Sequence, residues 1–157
     1  MEIDMQGLDA LLKKLDRMGG DANMALLKGT QKSTQLVQGT AKLLCPVDTG
    51  NLRVSIERRT EVEAQGCTGI VGTNSDHWAY VEFGTGPKGE GTYEYRDDLH
   101  YTMEPWVAHI EGVGFRTLEG YPARPFLYPA LADNRDNIQE IYRQTVQDAI
   151  QGRSANK

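Results

Sequence analysis

Four groups of residues have types and spacings that could do chemistry. Asp48-Thr49-Gly50 matches the triplet in which two aspartates of a protease share one proton, a chemistry that needs a companion carboxylate a few ångströms away. Here the triplet follows a helical pattern and Pro46 rather than a buried apolar strand, so a turn with a capping aspartate explains the same residues. Gly84-Thr85-Gly86-Pro87-Lys88-Gly89 formally fits GxGxxG. A dinucleotide site requires a helix to open at that point, and Pro87 with its flanking glycines predicts none. His77, His100 and His109 stand in no HxxxH or HExxH pattern that would aim two imidazoles at one metal. No P-loop, GxSxG or Cys/His pairing occurs, and no catalytic, cofactor-binding or metal-ligating residue is assigned. The fourth group is aromatic: Tyr93, Tyr95, Tyr101 and Trp106. A nucleic-acid stacking platform would need basic neighbours, whereas Glu94, Asp97 and Asp98 outnumber Arg96, so contact with another protein surface is the better reading.

Periodicity predicts the elements that hold these residues. Leu8, Leu11, Leu12, Leu15 and Met18 fall at amphipathic-helix spacing and stop at Gly19-Gly20; Ile3 and Met5 suggest a short strand before them. Asp21 is placed to cap a second helix running to about Leu44, with Met24, Leu27, Val37, Ala41 and Leu44 as its apolar stripe. Polar residues from Gln31 to Gln35 dilute that stripe, so part of the helix should be wet or face a partner. Pro46 ends it by steering its predecessor out of helical geometry. Asp48 to Asn51 reads as a turn, with Asp48 capping a short helical stretch through Leu52 and Arg53. Ser55–Val62 and Cys67–Thr73 read as an antiparallel hairpin around Gln65-Gly66.

Trp78–Phe83 is a compact apolar block ended by Gly84. From Gly86 to Gly120 the pattern dissolves into a glycine-rich stretch treated as an extended arm. A last helix begins near Pro129, with Leu131, Ile138, Ile141, Thr145 and Ala149 on one face, before a polar tail from Gly152. The order predicts an α+β fold: an antiparallel β-sheet packed against a long N-terminal helix and a C-terminal helix, with a long loop between. One domain over 1–157 is expected, with helices about 7–44, a β-rich centre about 53–84, the arm about 87–121 and the last helix about 129–151.

Composition narrows the classes. A formal charge of −5 argues against a surface that grips nucleic acid throughout, though not against a channel that DNA merely traverses. Cys45 and Cys67 form no framework, and reduced thiols in a cytosolic setting are expected. Asp9, Lys13, Lys14 and Asp16 interrupt the first apolar positions, so neither signal peptide nor membrane span is expected there.

Three blocks in sequence carry a family likeness: Pro46-Val47-Asp48-Thr49-Gly50-Asn51-Leu52-Arg53-Val54-Ser55-Ile56, Ala79-Tyr80-Val81-Glu82-Phe83-Gly84-Thr85-Gly86 and Pro122-Ala123-Arg124-Pro125-Phe126-Leu127-Tyr128-Pro129-Ala130-Leu131. With helices at both ends, the chain resembles, over about residues 5–150, the gene-product-ten family of HK-ninety-seven-like tailed phages, described as tail-component, tail-completion or neck proteins. The resemblance implies a virion protein made in the host cytoplasm. Its copies would form a ring, a hexamer by expectation, at the head–tail junction beside head-closure, tail-terminator or tail-tube proteins. It implies no catalysis, no cofactor and no membrane, and DNA would pass through the lumen without specific binding.

The assembly candidates are Asp48, Thr49, Gly50, Leu52, Arg53, Tyr80, Glu82, Gly84, Arg124, Pro125, Phe126 and Trp106. Arg53 or Arg124 is expected to pair with Glu82, Gly50 and Gly84 to hold angles that a Cβ would strain, and Phe126 and Tyr80 to anchor the core. Six copies at −5 each sum to about −30, so the lumen is expected to repel phosphates. The alternatives are a tail-terminator ring capping the tube, a small aspartic-type protease using Asp48, and a soluble module that stays monomeric.

Overall fold

No proline interrupts residues 21–44, and small residues recur there at every fourth position; the segment forms helix α1 (Asp21–Leu44), about 36 Å long at ~1.5 Å per residue. The computed structural model describes residues 13, 21–63, 66–96 and 98–154. Apart from Lys13, the helix expected over Leu8–Met18 lies outside them, as does the strand at Ile3 and Met5. After α1 come α2 (Asn51–Val54), β1 (Ile56–Glu63), β2 (Gly66–Thr73), α3 (Trp78–Phe83), α4 (Gly86–Gly89), β3 (Trp106–Ile110), β4 (Gly114–Leu118), α5 (Leu127–Ala132) and α6 (Arg135–Ser154). The class is α+β, with two separate antiparallel two-stranded sheets, β1–β2 and β3–β4.

Two compact units form. The first draws on the chain up to Thr40, on Glu57–Gly72 and on Ala130 onward. Its buried α1 face is small and polar: Ala25, Gly29, Ser33 and Val37 lie four residues apart, with Thr30 and Thr34 beside them. Of the expected stripe, Val37 and Ala41 are buried, while Met24 and Leu44 are 53% and 44% exposed. Small residues let α6 approach closely. A Cβ at Gly29 would stand 2.7 Å from the Tyr142 ring, and the Tyr142 hydroxyl lies 2.7 Å from Thr30 Oγ1. Thr30 gives its one proton to the Leu26 carbonyl, so Tyr142 is the donor in that pair. Ala25 and Val146 extend the contact, joined by Ala149 and Ile150. Strand β2 packs on α1 just as closely at Gly69, where a Cβ would lie 2.4 Å from Thr34 Cγ2.

The expected last helix is two helices. Buried Asn134 separates them: its Nδ2 donates to Thr40 Oγ1 and to the Ala130 carbonyl, and its own carbonyl accepts from Ile138 N–H. That network fixes the end of α5 and the start of α6 at one side chain.

The second unit comprises Ala41–Ile56 and Thr73–Pro129. Two of its elements differ from expectation. Trp78–Phe83, the compact apolar block within the expected β-rich centre, is the helix α3. At ~100° per residue its turn buries Glu82 and turns Tyr80 outward, so Tyr80 is 63% exposed and is no core anchor, whereas Phe126 is fully buried. The arm is not loop throughout either. Trp106–Ile110 and Gly114–Leu118 pair antiparallel around an Ile110–Val113 turn, in the register Trp106↔Leu118 to Ile110↔Gly114. An aromatic group of Trp78, Phe83, Tyr93, Tyr95 and Tyr128, with neighbouring ring centroids 4.4–6.5 Å apart, packs beneath α3 and the first part of the arm.

Candidate functional site

The first motif block turns the chain at the end of α1. Gly50, at φ +87°, is the N-cap of α2 and has no side-chain capping bond. Asp48, expected as the cap, instead lies exposed two residues earlier, because the turn enters α2 through a left-handed residue that only glycine adopts cheaply. Thr49 Oγ1 accepts a long 3.4 Å bond from Asn51 N–H. Leu52 is buried. Arg53 reaches back, and its Nη2 donates to the Cys45 carbonyl at 2.8 Å, a cationic cap just past the last residue of α1.

The second and third blocks meet at Glu82. This carboxylate is 2% exposed, and its oxygens accept three backbone N–H groups. Oε2 takes Phe126 at 2.7 Å and Leu127 at 2.9 Å; Oε1 takes Tyr128 at 3.0 Å. These are the amides that open α5, which have no acceptor within their own helix. The carboxylate therefore caps a helix 44 to 46 positions away in the chain. This corrects the expected ion pair with Arg53 or Arg124: among the described residues neither guanidinium lies within ion-pair distance of Glu82. Three amides already occupy its oxygens. Arg124 contributes its backbone N–H, to the Val81 carbonyl at 2.8 Å, and its side chain is exposed; Pro125 beside it is half-buried.

A glycine seam closes the base of the arm. Thr85 and Tyr121 form an antiparallel bridge, with N–H to carbonyl distances of 2.9 and 3.0 Å, and Lys88 N–H donates to the Glu119 carbonyl. Gly84, at φ +78°, lies so close to the returning strand that a Cβ would stand 2.7 Å from Ala123 N. Thr92 Oγ1 clips the seam, donating to the Gly89 carbonyl and accepting from Ala123 N–H. Trp106, 39% exposed, covers Gly86. The GxGxxG match thus reflects backbone packing: Gly86, Gly89 and Gly84 all face other chain at contact distance.

Burial and charge set the titration of this region. Burial, then the negative Glu82, pushes Tyr93 up to about 12. Burial also raises the Cys45 thiol, against the opposing effect of Arg53. Ser75 Oγ lies 3.0 Å from His77 Nδ1, but the imidazole is exposed, and among the described residues no third group holds it in place as a base. Among the described residues no group of three or more His, Cys, Asp or Glu could hold a metal ion, and no helix is long and apolar enough to cross a membrane.

Sequence reasoning did not find Asn134, Thr92 or the partners of Glu82, since each has a partner far away in the chain: the Thr40 hydroxyl for Asn134, and backbone amides for the other two. Neither the comparison with curated proteins nor that with solved structures gives a match. Residues 9–84 match the family model described as "Bacteriophage HK97-gp10, putative tail-component". That span takes in the turn of the first block and most of the second, and stops short of the third. Over residues 9–84, the chain is similar to a family of phage tail components.

Proposed function

We propose that this chain is a structural protein of a long-tailed phage virion, one copy of a ring at the head–tail junction that joins head to tail and lets DNA pass. The observation that carries this reading is the use made of the motif's charged residues. Glu82 and Arg53 cap helix ends, and the glycines accept close backbone, so the motif is spent on holding a shape. The family match over residues 9–84 supplies the phage context. In the ring the partners are other copies of the chain and the adjoining head-closure and tail-terminator or tail-tube proteins. DNA slides through a lumen that repels it, and a strongly basic inner wall would overturn that part of the reading.

The test is assembly in the absence of this protein. Filled heads and finished tails that fail to join support the neck ring, whereas normal infectious particles refute it. Unjoined tails of abnormal length would instead favour a tail terminator. The protease reading gains no support from the site, because Asp48 is exposed on a turn and two carboxylates share a proton only in a desolvated pair. An Asp48→Asn variant is expected to assemble normally.

A further inference from the structure

The outward face of α1 departs from what a free helix prefers. Met24, Lys28, Lys32, Gln35, Gly39 and Leu43 recur at spacings of three and four residues, so they share one face, and all are exposed. After Asp21 the helix holds Lys28, Lys32 and Lys42 and no carboxylate, a formal charge of +3 over residues 22–44. Lys28 and Lys32 stand one turn apart and repel each other. Among the described residues neither meets a carboxylate within ion-pair distance. Gly39 weakens the helix interior, yet a Cβ there would meet nothing within 4 Å, so packing inside the chain does not call for a glycine. Local rules broken without an internal gain mark a place that serves something outside the chain.

Charge identifies the occupant. Over Glu90–Glu104 the carboxylates of Glu90, Glu94, Asp97, Asp98 and Glu104 stand against Arg96 alone, a net −4 of the chain's −5. Arg96 is bonded to Asp98, whereas Glu90, Glu94 and Glu104 are exposed and make no ion pair among the described residues. Tyr101 gathers this segment into one closed loop: its ring would meet a Cβ at Gly89 at 3.0 Å, and its hydroxyl donates to the Phe83 carbonyl at 2.7 Å. Glu90, next to Gly89, and Glu104, three residues past Tyr101, are thereby held near the two ends of that loop. Exposed Tyr95 and Met103 lie on it, as exposed Met24 and Leu43 lie on the α1 face, so each surface sets apolar contact beside its charge. A phosphate backbone would answer the lysines but leave Met24 and Leu43 bare.

We propose that the Glu90–Glu104 loop of one copy lies across the outer face of α1 in the next copy, a contact that rests on the ring reading above. Its carboxylates meet Lys28 and Lys32, and its backbone comes close over Gly39, where a side chain would stand in the way. Each copy gives one surface and receives a different one, which is the head-to-tail type of interface that closes into rings.

The test uses particles carrying p-benzoylphenylalanine in place of Gln35, an exposed position between Lys32 and Gly39. Irradiation is expected to give crosslinked multimers of the chain, with the adduct inside residues 90–104 of another copy. Charge exchange gives an independent readout. Lys28→Glu with Lys32→Glu should lower the yield of joined particles by at least about tenfold, since like charges then face each other across the contact. Adding Glu90→Lys and Glu94→Lys to the same chain should restore the yield. All four side chains are exposed, and thermal melts of the isolated variants check that the fold is intact. An adduct on another virion protein or on DNA, no adduct at all, a lysine variant that assembles normally, or a defect that the exchange does not restore overturns this contact alone. Particles that lack the chain overturn the ring reading and the contact with it.

Discussion

Replacing Glu82 with Gln keeps the side-chain shape and removes one acceptor. The amide oxygen can take the place of Oε2 and keep Phe126 and Leu127, but the NH2 group then faces Tyr128 N–H, donor against donor. A hydrogen bond to a charged group contributes about 1.5–3 kcal/mol, so the loss of Tyr128 and of charge assistance at the other two should cost about 2–3 kcal/mol. Glu82→Ala strands all three amides beside fully buried Phe126 and leaves a void, which should cost about 3–5 kcal/mol. For a chain of this size 1 kcal/mol moves Tm by about 2–4 °C, giving a drop of about 4–12 °C for Gln and more for Ala. Thermal melts would be read against the exposed control Glu57→Gln, which should stay within about 0.5 kcal/mol. Native-state hydrogen exchange adds a local readout: Phe126, Leu127 and Tyr128 should lose amide protection first. A Glu82→Gln protein that melts with the control and keeps those three amides protected would refute the capping argument.

Three further outcomes follow from the packing. Gly39→Ala, with open space around its new Cβ, should stabilise α1 by about 1 kcal/mol, whereas Gly29→Ala, whose Cβ meets the Tyr142 ring at 2.7 Å, should destabilise by about 1–3 kcal/mol. Denaturant titration of the pair checks the opposite signs. Tyr93 keeps its proton in the fold up to about pH 12 while the unfolded chain loses it near 10.0, so its contribution to stability is whole below pH 10 and is lost as pH rises to 12. Tyr93→Phe should therefore flatten the alkaline fall by up to one proton's slope, about 1.4 kcal/mol per pH unit, in melts across that window. Alkylation followed by mass spectrometry should label half-buried Cys67 well before Cys45, which is 1% exposed and reacts on unfolding; equal native rates would contradict the burial.

The long helix was legible because Pro46 and the run of small and apolar residues from Asp21 mark it plainly. Its buried face was less so, since Gly29, Thr30, Ser33 and Thr34 carry no hydrophobic signal and are inside only because α6 and β2 approach closely. The α3 helix was hidden by Trp78, Tyr80, Val81 and Phe83, residue types that favour strands, and tertiary demands at Glu82 overrode that preference. The arm's hairpin did leave a trace, in Val107 to Ile110 and Phe115 to Leu118 on either side of Gly112, but surrounding glycines masked it. Glu82 stood out within its block, yet no local pattern could reveal that its partners are amides 44 to 46 residues away.

The central claim is a place in the particle, and electron microscopy of intact virions bearing a small gold-labelled tag on this chain measures it directly. The account predicts label confined to the junction where the tail meets the head. Label spread over the shell, strung along the tail, or missing from purified infectious particles would contradict it.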